Sequence, residues 1–159
     1  MGIEVVDTNV WVNIDKLPPE SEAERTCILA CILWGSAFSS ETDDDKIAVD
    51  DAWAILKEYR RNIKPGGLAE RYLNDVLSQP ITRLELVHIE FDENGHAILE
   101  QNIIDDPADR KLVTVALKFQ PLAPIINAID TDWMQAKDRL AVSGIAIQEL
   151  CLGYLQKKV

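Results

Sequence analysis

Two short apolar segments of this chain run directly into aspartates, and this pattern constrains the fold more than any other feature. Residues 3–6 lead into Asp7, and residues 125–129 lead into Asp130 and Asp132. Both segments are rich in Ile or Val, which is typical of buried strands. An ordinary strand would end in a turn of Gly, Asn or Ser. Acidic residues at both ends therefore predict that the two strand ends meet at one site.

Strand-like and helix-like segments alternate along the chain. The patterns predict strands over residues 3–6, 46–51, 124–129 and 145–150, and helices over residues 21–34, 50–63, 68–78, 106–119 and 132–144. Residues 83–101 are predicted as a hairpin insertion, because the Asn-Gly pair within them favours a tight reversal. The alternation predicts one α/β domain over residues 1–159, a three-layer α/β/α arrangement with a mainly parallel central sheet. Ligands of such sheets bind outside the carboxyl ends of the strands, where Asp7 and Asp130 fall.

The composition suits a single globular domain. The chain has 159 residues, of which 47% are hydrophobic, enough for one substantial core and too many for a disordered protein. No apolar run approaches the roughly 20 residues that span a bilayer, and a secretory signal is lacking, so we expect a cytoplasmic protein with no membrane segment. The formal net charge of −11 argues against a general nucleic-acid coat protein but leaves room for an enzyme that contacts phosphates locally. The acidic segment 39–46 is interpreted as a solvated loop, with calcium binding as the alternative.

The cysteines are predicted to be reduced. Cys27, Cys31 and Cys151 are an odd number in a chain without a secretory signal. Cys27 and Cys31 lie four residues apart and would share one face of a helix, where we expect them to pack in the core. A zinc site is disfavoured because no second Cys or His pair with zinc spacing follows.

Two helices can bring further carboxylates to the strand ends. Asp109 lies near the N-terminal end of a predicted helix, where backbone N–H groups favour anions. Glu58 lies among apolar residues of another, and a carboxylate near a buried face is costly unless it is paired or binds a metal. Clustered carboxylates repel one another and need a cation, and oxygen ligands select Mg²⁺ or Mn²⁺. The alternatives are that Asp7 and Asp130 cap the helices that follow them, and that Glu58 pairs with Lys57, Arg61 or Lys111 on the surface.

Five motifs spread over nearly the whole chain resemble those of PIN-domain nucleases. In the family's order, they are VVDTNVWV, ILKEY, DPADRKLVTVAL, INAIDTDW and GIAIQEL. The resemblance implies a PIN-like fold and an endoribonuclease that cleaves single-stranded RNA with Mg²⁺ or Mn²⁺. It implies Asn9 as a polar residue that orients the site, Asp132 as an accessory acid, and four catalytic, metal-binding acids, Asp7, Glu58, Asp109 and Asp130. Many members of the family are toxins, so an antitoxin or inhibitor protein is an expected partner and a homodimer an expected assembly.

Two of the four acids have close competitors in the sequence. Asp50 and Asp51 lie at a strand-to-helix junction and remain alternatives for the second acid. Asp105 and Asp106 lie within about one turn of Asp109 and crowd the third position.

A basic stretch follows the second acid. Arg60, Arg61 and Lys64 are candidates for contacts with RNA phosphates, and a solvated helix face is the alternative. Trp53 and Trp133 are candidates for stacking on bases, with packing in the core as the favoured interpretation.

Two other functions compete with the ribonuclease. A PIN-like module without catalytic activity would bind RNA or a protein partner while keeping the fold and some acids. A phosphatase of the haloacid-dehalogenase type would use Asp7 as a nucleophile, but it needs a second aspartate where this chain has Asn9. Residues 83–101 form a longer segment than compact toxin members have, which weighs against the toxin more than against the nuclease.

Overall fold

The computed structural model describes residues 2–40 and 44–158, and within these ranges a five-stranded sheet forms the centre of the molecule. Every strand pairing in this sheet is parallel, and the spatial order is β3-β2-β1-β4-β5. The strands are β1 (Ile3–Val6), β2 (Lys46–Asp50), β3 (Leu84–Val87), β4 (Ile125–Asn127) and β5 (Ile147–Glu149). The predicted α/β class with a parallel central sheet is confirmed.

Helices cover the sheet. They are α1 (Thr8–Ile14), α2 (Glu22–Ser39), α3 (Ala54–Asn62), α4 (Leu68–Leu77), α5 (Pro80–Arg83), α6 (Arg110–Ala116), α7 (Asp132–Gln135), α8 (Lys137–Ser143) and α9 (Leu152–Lys158). Helices α1 to α4 contact one another, whereas α6 packs against β1 and β2. Because parallel crossovers are right-handed, these two groups lie on opposite faces of the sheet, which gives the three-layer arrangement. The strands between them are buried on both faces, and Val5, Val6, Ile125 and Ile126 are each 0% exposed.

The register of the central strands places two acidic segments side by side. Val5 of β1 is paired with Ile125 of β4, and Val6 with Ile126. The Asp7 N–H then donates to the Ile126 carbonyl at 3.0 Å, so Asp7 leaves the sheet beside the end of β4. Since all strands are parallel, their carboxyl ends share this edge of the sheet.

Capping residues and turns close to the helix ends set several of the observed helix boundaries. Helix α2 begins after Ser21, whose side chain accepts the Glu24 N–H, as the predicted start requires, but it continues five residues past its predicted end. The helix predicted over residues 132–144 is interrupted at Ala136 and ends at Gly144, which has a φ of 83°. The helix predicted over residues 106–119 is shorter, because a 3₁₀ turn (Pro107–Asp109) precedes α6.

The segment predicted as a hairpin divides into two parts. Its first residues form β3, which pairs with β2 in the central sheet. The reversal itself is present: Phe91 and Ala97 form an antiparallel bridge, and the Asp92 carboxylate accepts the Asn94 and His96 N–H groups. This carboxylate explains the tight turn, because Asp side chains bond to backbone groups shortly after them.

The prediction of reduced thiols is wrong for two of the cysteines. Cys27 of α2 and Cys151, which precedes α9, form a disulfide across 124 residues. Helix α9 packs against α2, and this long-range contact brings together two cysteines that are far apart in the chain. Cys31 is free and buried.

The described residues include no helix with the length and apolarity that a membrane crossing requires. Of the acidic segment interpreted as a solvated loop or calcium site, residues 41–43 lie outside the described ranges.

Candidate metal centre

Three of the four predicted metal-binding acids converge at the carboxyl edge of the sheet. One carboxylate oxygen from each of Asp7, Asp109 and Asp130 lies within 4.8 Å of those of the other two. Asp7 follows β1, Asp130 follows β4, and Asp109 ends the 3₁₀ turn before α6. Hence three separate parts of the chain each contribute one carboxylate to this group, which we call the acid cluster.

Asp7 is the buried member of the acid cluster and is held in place on both oxygens. Its Oδ2 accepts the indole N–H of Trp133 at 2.6 Å, and its Oδ1 accepts the Asn9 N–H at 3.3 Å as the N-cap of α1. Burial raises the pKa of Asp7 to about 6; the Trp133 hydrogen bond opposes this rise and the charge of Asp130 adds to it. Capping and membership of the acid cluster are therefore compatible at this residue.

Asp109 is the most perturbed carboxyl group of the acid cluster. Its pKa is raised to about 8, first by burial and then by the charges of Asp7 and Asp130. Among the residues that the structure describes, its buried Oδ2 has no hydrogen-bond partner. A carboxylate in this position is expensive unless a cation compensates it.

Asp130 combines a local backbone contact with membership of the acid cluster, whereas Thr131 is the N-cap residue of α7. Its Oδ1 accepts the Asp132 N–H at 2.9 Å, just before α7. Burial is the largest cause of the raised pKa of Asp130, and the charges of Asp132 and Asp106 add to it. Ionisation of Asp130 is therefore disfavoured by its surroundings, as it is for Asp7 and Asp109.

A buried amide network holds the strand ends together. The Asn9 Oδ1 accepts the N–H groups of Ala128 and Ile129, and its Nδ2 donates to Asn127 Oδ1 at 3.0 Å. Asn127, which is 0% exposed, donates in turn to both oxygens of Glu149. Asn9 therefore ties the start of α1 to the loop that carries Asp130, which is an orienting contact.

Glu149 is a further acid at this edge that the sequence patterns did not single out. It ends β5, and its pKa is raised by burial and by the charge of Asp130. The signal that identified Asp7 and Asp130, a carboxylate at the end of an apolar strand, is present here too.

Glu58, the predicted second acid, is close to the start of α1 but is engaged in other contacts. Its Oε1 accepts from the Lys111 ammonium at 2.9 Å, and its Oε2 accepts from the Thr8 hydroxyl. Lys111 is 12% exposed and Glu58 22%, so this ion pair is largely shielded from water. Glu58 is not one of the three residues of the acid cluster.

The competitors for the second and third positions have other roles. The buried Asp50 carboxylate accepts the Ala54 and Ile55 N–H groups at the start of α3. Asp51 is exposed and contacts His88. Asp105 forms an exposed ion pair with Arg139 at 2.9 Å.

Asp106 and Asp132 lie on the outer side of the acid cluster. Together with Asp109 they form a second group with one carboxylate oxygen each within 4.8 Å, and Asp106 is exposed. Asp109 is common to both groups. Asp132 is therefore placed where an accessory acid would be expected.

The RNA-contact and stacking candidates differ in their placement. Arg60, Arg61 and Lys64 are exposed, and Arg60 donates to Asn74 of α4 at 2.7 Å. Trp133 is 1% exposed and packs in the core, where its indole N–H donates to the Asp7 carboxylate. Trp53 is 39% exposed and begins α3 with a φ of 66°, a left-handed conformation that is rare outside glycine.

Comparison of this chain with protein-family models, with curated proteins and with solved structures finds no match. The resemblance to PIN-domain nucleases stays a prediction.

Proposed function

We propose that this protein is a metal-dependent endoribonuclease of the PIN type that hydrolyses phosphodiester bonds of single-stranded RNA. One observation carries the proposal: Asp7, Asp109 and Asp130 come from separate parts of the chain and converge at the carboxyl edge of a parallel sheet. Each has a raised pKa, chiefly because of burial, and the charges of neighbouring carboxylates add to the rise.

The residues present fit Mg²⁺ or Mn²⁺. They offer only carboxylate oxygens, which are the ligands of hard divalent cations, and the buried Oδ2 of Asp109 has no hydrogen-bond partner within the described ranges. Asp7, Asp109 and Asp130 would hold the ion, with Asp132 beside them. A divalent ion in such a site acidifies a water molecule and compensates phosphate charge, the two needs of phosphodiester hydrolysis.

Hydrogen bonds within the chain hold the proposed metal ligands in fixed orientations. Trp133 and the Asn9 N–H hold the two oxygens of Asp7, so that its carboxylate has one orientation. Asn9 and Asn127 hold the loop before Asp130 against β1. Such supporting contacts around metal ligands preserve the geometry on which affinity depends.

The remaining parts of the proposal concern partners. The exposed side chains of Arg60, Arg61 and Lys64 are the candidate phosphate contacts, and they follow Glu58 by two, three and six residues. A toxin role with an antitoxin or inhibitor protein, a homodimer and a cytoplasmic location follow from the resemblance alone.

The test is cleavage of a complex pool of single-stranded RNA by the purified protein with Mn²⁺, followed by sequencing of the ends. We expect cuts that EDTA abolishes and that Asp130→Asn reduces by at least about 100-fold, because a metal ligand is lost. Asp75→Asn is the matched control: it changes an exposed aspartate of α4 in the same way and should leave cleavage intact.

Two outcomes would contradict the ribonuclease. Full cleavage by the Asp130→Asn protein would show that the nuclease activity comes from a contaminant or another site. A wild-type protein that neither cleaves RNA nor binds Mn²⁺ by calorimetry would favour the alternative, a PIN-like module that binds RNA or a protein partner without catalysis.

A further inference from the structure

We propose that Lys111 is a built-in cation that takes the place of a second metal ion at Glu58, so that Glu58 is not a metal ligand in this protein. The inference rests on the proposed function, because it concerns the metal site of that function. It departs from the sequence-based expectation of four metal-binding acids.

The Glu58 carboxylate accepts hydrogen bonds from two side chains. Both of its carboxylate oxygens are occupied, one by the Lys111 ammonium at 2.9 Å and the other by the Thr8 hydroxyl. Each carboxylate oxygen keeps a second lone pair, but a metal ion bound to Glu58 would lie beside the Lys111 ammonium. Two like charges so close to each other in a largely water-excluded place are costly.

The position of Lys111 is fixed by the same elements that build the acid cluster. Lys111 lies two residues after Asp109 in the first turn of α6, and its Nζ also donates to the Ala108 carbonyl at 2.5 Å. Thr8 is the neighbour of Asp7 at the start of α1. The Lys111–Glu58–Thr8 contacts therefore join α6, α3 and α1 next to the acid cluster.

The charges support a division of the site into two halves. Asp7, Asp109 and Asp130 each place one carboxylate oxygen within 4.8 Å of the others, and the buried Oδ2 of Asp109 has no hydrogen-bond partner among the described residues. Glu58 is paired with a full positive charge at hydrogen-bonding distance. A divalent ion is thus favoured among Asp7, Asp109 and Asp130, whereas the Glu58 side already has its cation.

The experiment is to count Mn²⁺ ions and measure their affinity by calorimetry and by the electron paramagnetic resonance signal of free Mn²⁺, without RNA. We expect one tightly bound ion in the wild type. Glu58→Gln should change its affinity by less than about tenfold, whereas Asp130→Asn should weaken it by more than about 100-fold, beyond what losing an outer contact costs. Lys111→Met should add one bound ion, because the Glu58 carboxylate then lacks a counter-charge.

Two further variants control for charge and folding. Lys111→Arg keeps the positive charge and should bind one ion, as the wild type does. The double variant Lys111→Met with Glu58→Gln removes both charges and should also return to one ion. Circular dichroism and thermal unfolding of each variant establish that it is folded, and the Glu58→Gln result decides the inference even if Lys111→Met fails to fold.

The outcomes separate this inference from the proposed function. If Glu58→Gln loses Mn²⁺ as severely as Asp130→Asn, Glu58 is a ligand and the inference is wrong while the metal site stands. An unchanged count in folded Lys111→Met would likewise overturn it. A wild type that binds no Mn²⁺ would overturn the proposed function, and the inference with it.

Discussion

At the scale of single residues, the burial of Asp109 beside Asp7 and Asp130 lowers the stability of the folded chain whenever its carboxyl group is ionised. Its pKa of about 8 means that the fold favours the neutral carboxyl group over most of the physiological range. The ordinary value is 3.8, so the folded chain holds a proton on Asp109 that the unfolded chain has released. The contribution of this group to stability is therefore full below about pH 4 and is lost as pH rises through about 8.

We predict that Asp109→Asn stabilises the metal-free protein at pH 8.5 but not at pH 5. At pH 5 the wild-type carboxyl group is already neutral, whereas at pH 8.5 its charge is repelled by Asp7 and Asp130. Solvent screening limits the gain to about 1 kcal/mol, or about 2–4 °C in Tm. Thermal unfolding in EDTA at the two pH values measures it.

The control for this prediction is Asp75→Asn, which changes an exposed aspartate and should show no such pH dependence. An Asp109→Asn protein that is less stable than the wild type at pH 8.5 would contradict the account of Asp109 as an uncompensated carboxylate. Under the proposed function, the same variant should lose Mn²⁺ binding, since it removes one carboxylate of the acid cluster.

At the scale of elements, the start of α3 shows why a buried acid need not be a metal ligand. Asp50 ends β2 at the same edge as the acid cluster and is 0% exposed. Its oxygens accept the N–H groups of Ala54 and Ile55 at 2.9 and 2.8 Å, which satisfies the free donors of the first turn. Trp53 enters α3 in a left-handed conformation, so the chain needs this anchor to turn sharply out of β2.

We predict that Asp50→Ala lowers the free energy of unfolding by about 1–2 kcal/mol, because the cap of α3 is lost. The affinity for Mn²⁺ should change little, since Asp50 caps a helix and is not part of the acid cluster. Urea denaturation and Mn²⁺ calorimetry measure the two quantities.

The neighbouring substitution Asp51→Ala is the control, because Asp51 is exposed and its carboxylate pairs with the exposed His88. It should change stability by less than about 1 kcal/mol. A loss of Mn²⁺ binding in Asp50→Ala comparable to that in Asp130→Asn would instead make Asp50 the second acid.

At the scale of the whole molecule, the Cys27–Cys151 disulfide ties the C-terminal helix to the body of the domain. Both sulfurs are buried, and the bond closes a loop across 124 residues. A crosslink over such a distance restricts the unfolded chain, which is the usual account of how disulfides stabilise proteins. Disulfides are rare in cytosolic proteins, so an oxidised Cys27–Cys151 pair weighs against the expected cytoplasmic location.

We predict that a reducing agent lowers the free energy of unfolding of the wild type by about 2–4 kcal/mol. Cys31→Ser should respond to the reductant as the wild type does, because Cys31 is outside the bond. Cys151→Ser should not respond at all. Urea denaturation with and without reductant measures the difference, and a wild type indifferent to reductant would mean that the disulfide does not form.

The local patterns of the sequence were sufficient for the class of the fold and for part of the site. Alternating apolar strands and helices predict the parallel sheet, and aspartates directly after two strands predict that Asp7 and Asp130 share its carboxyl edge. These inferences succeed because strand and helix periodicity depend on neighbours in the chain, and because parallel strands end on one side. Glu149 ends β5 in the same way and could have been identified by the same reasoning.

Only the tertiary structure decided which partner each polar side chain has. Glu58 meets Lys111 across 53 residues, where the sequence offered Lys57 and Arg61 as equal alternatives. Cys27 meets Cys151 across 124 residues, which no local pattern indicates. It likewise paired Asp105 with Arg139, although Asp105 lies in the same short acidic segment as Asp109 of the acid cluster. The physical reason is that side-chain partners depend on how helices from distant parts of the chain pack on the sheet, whereas residue type and spacing specify only the helices and strands themselves.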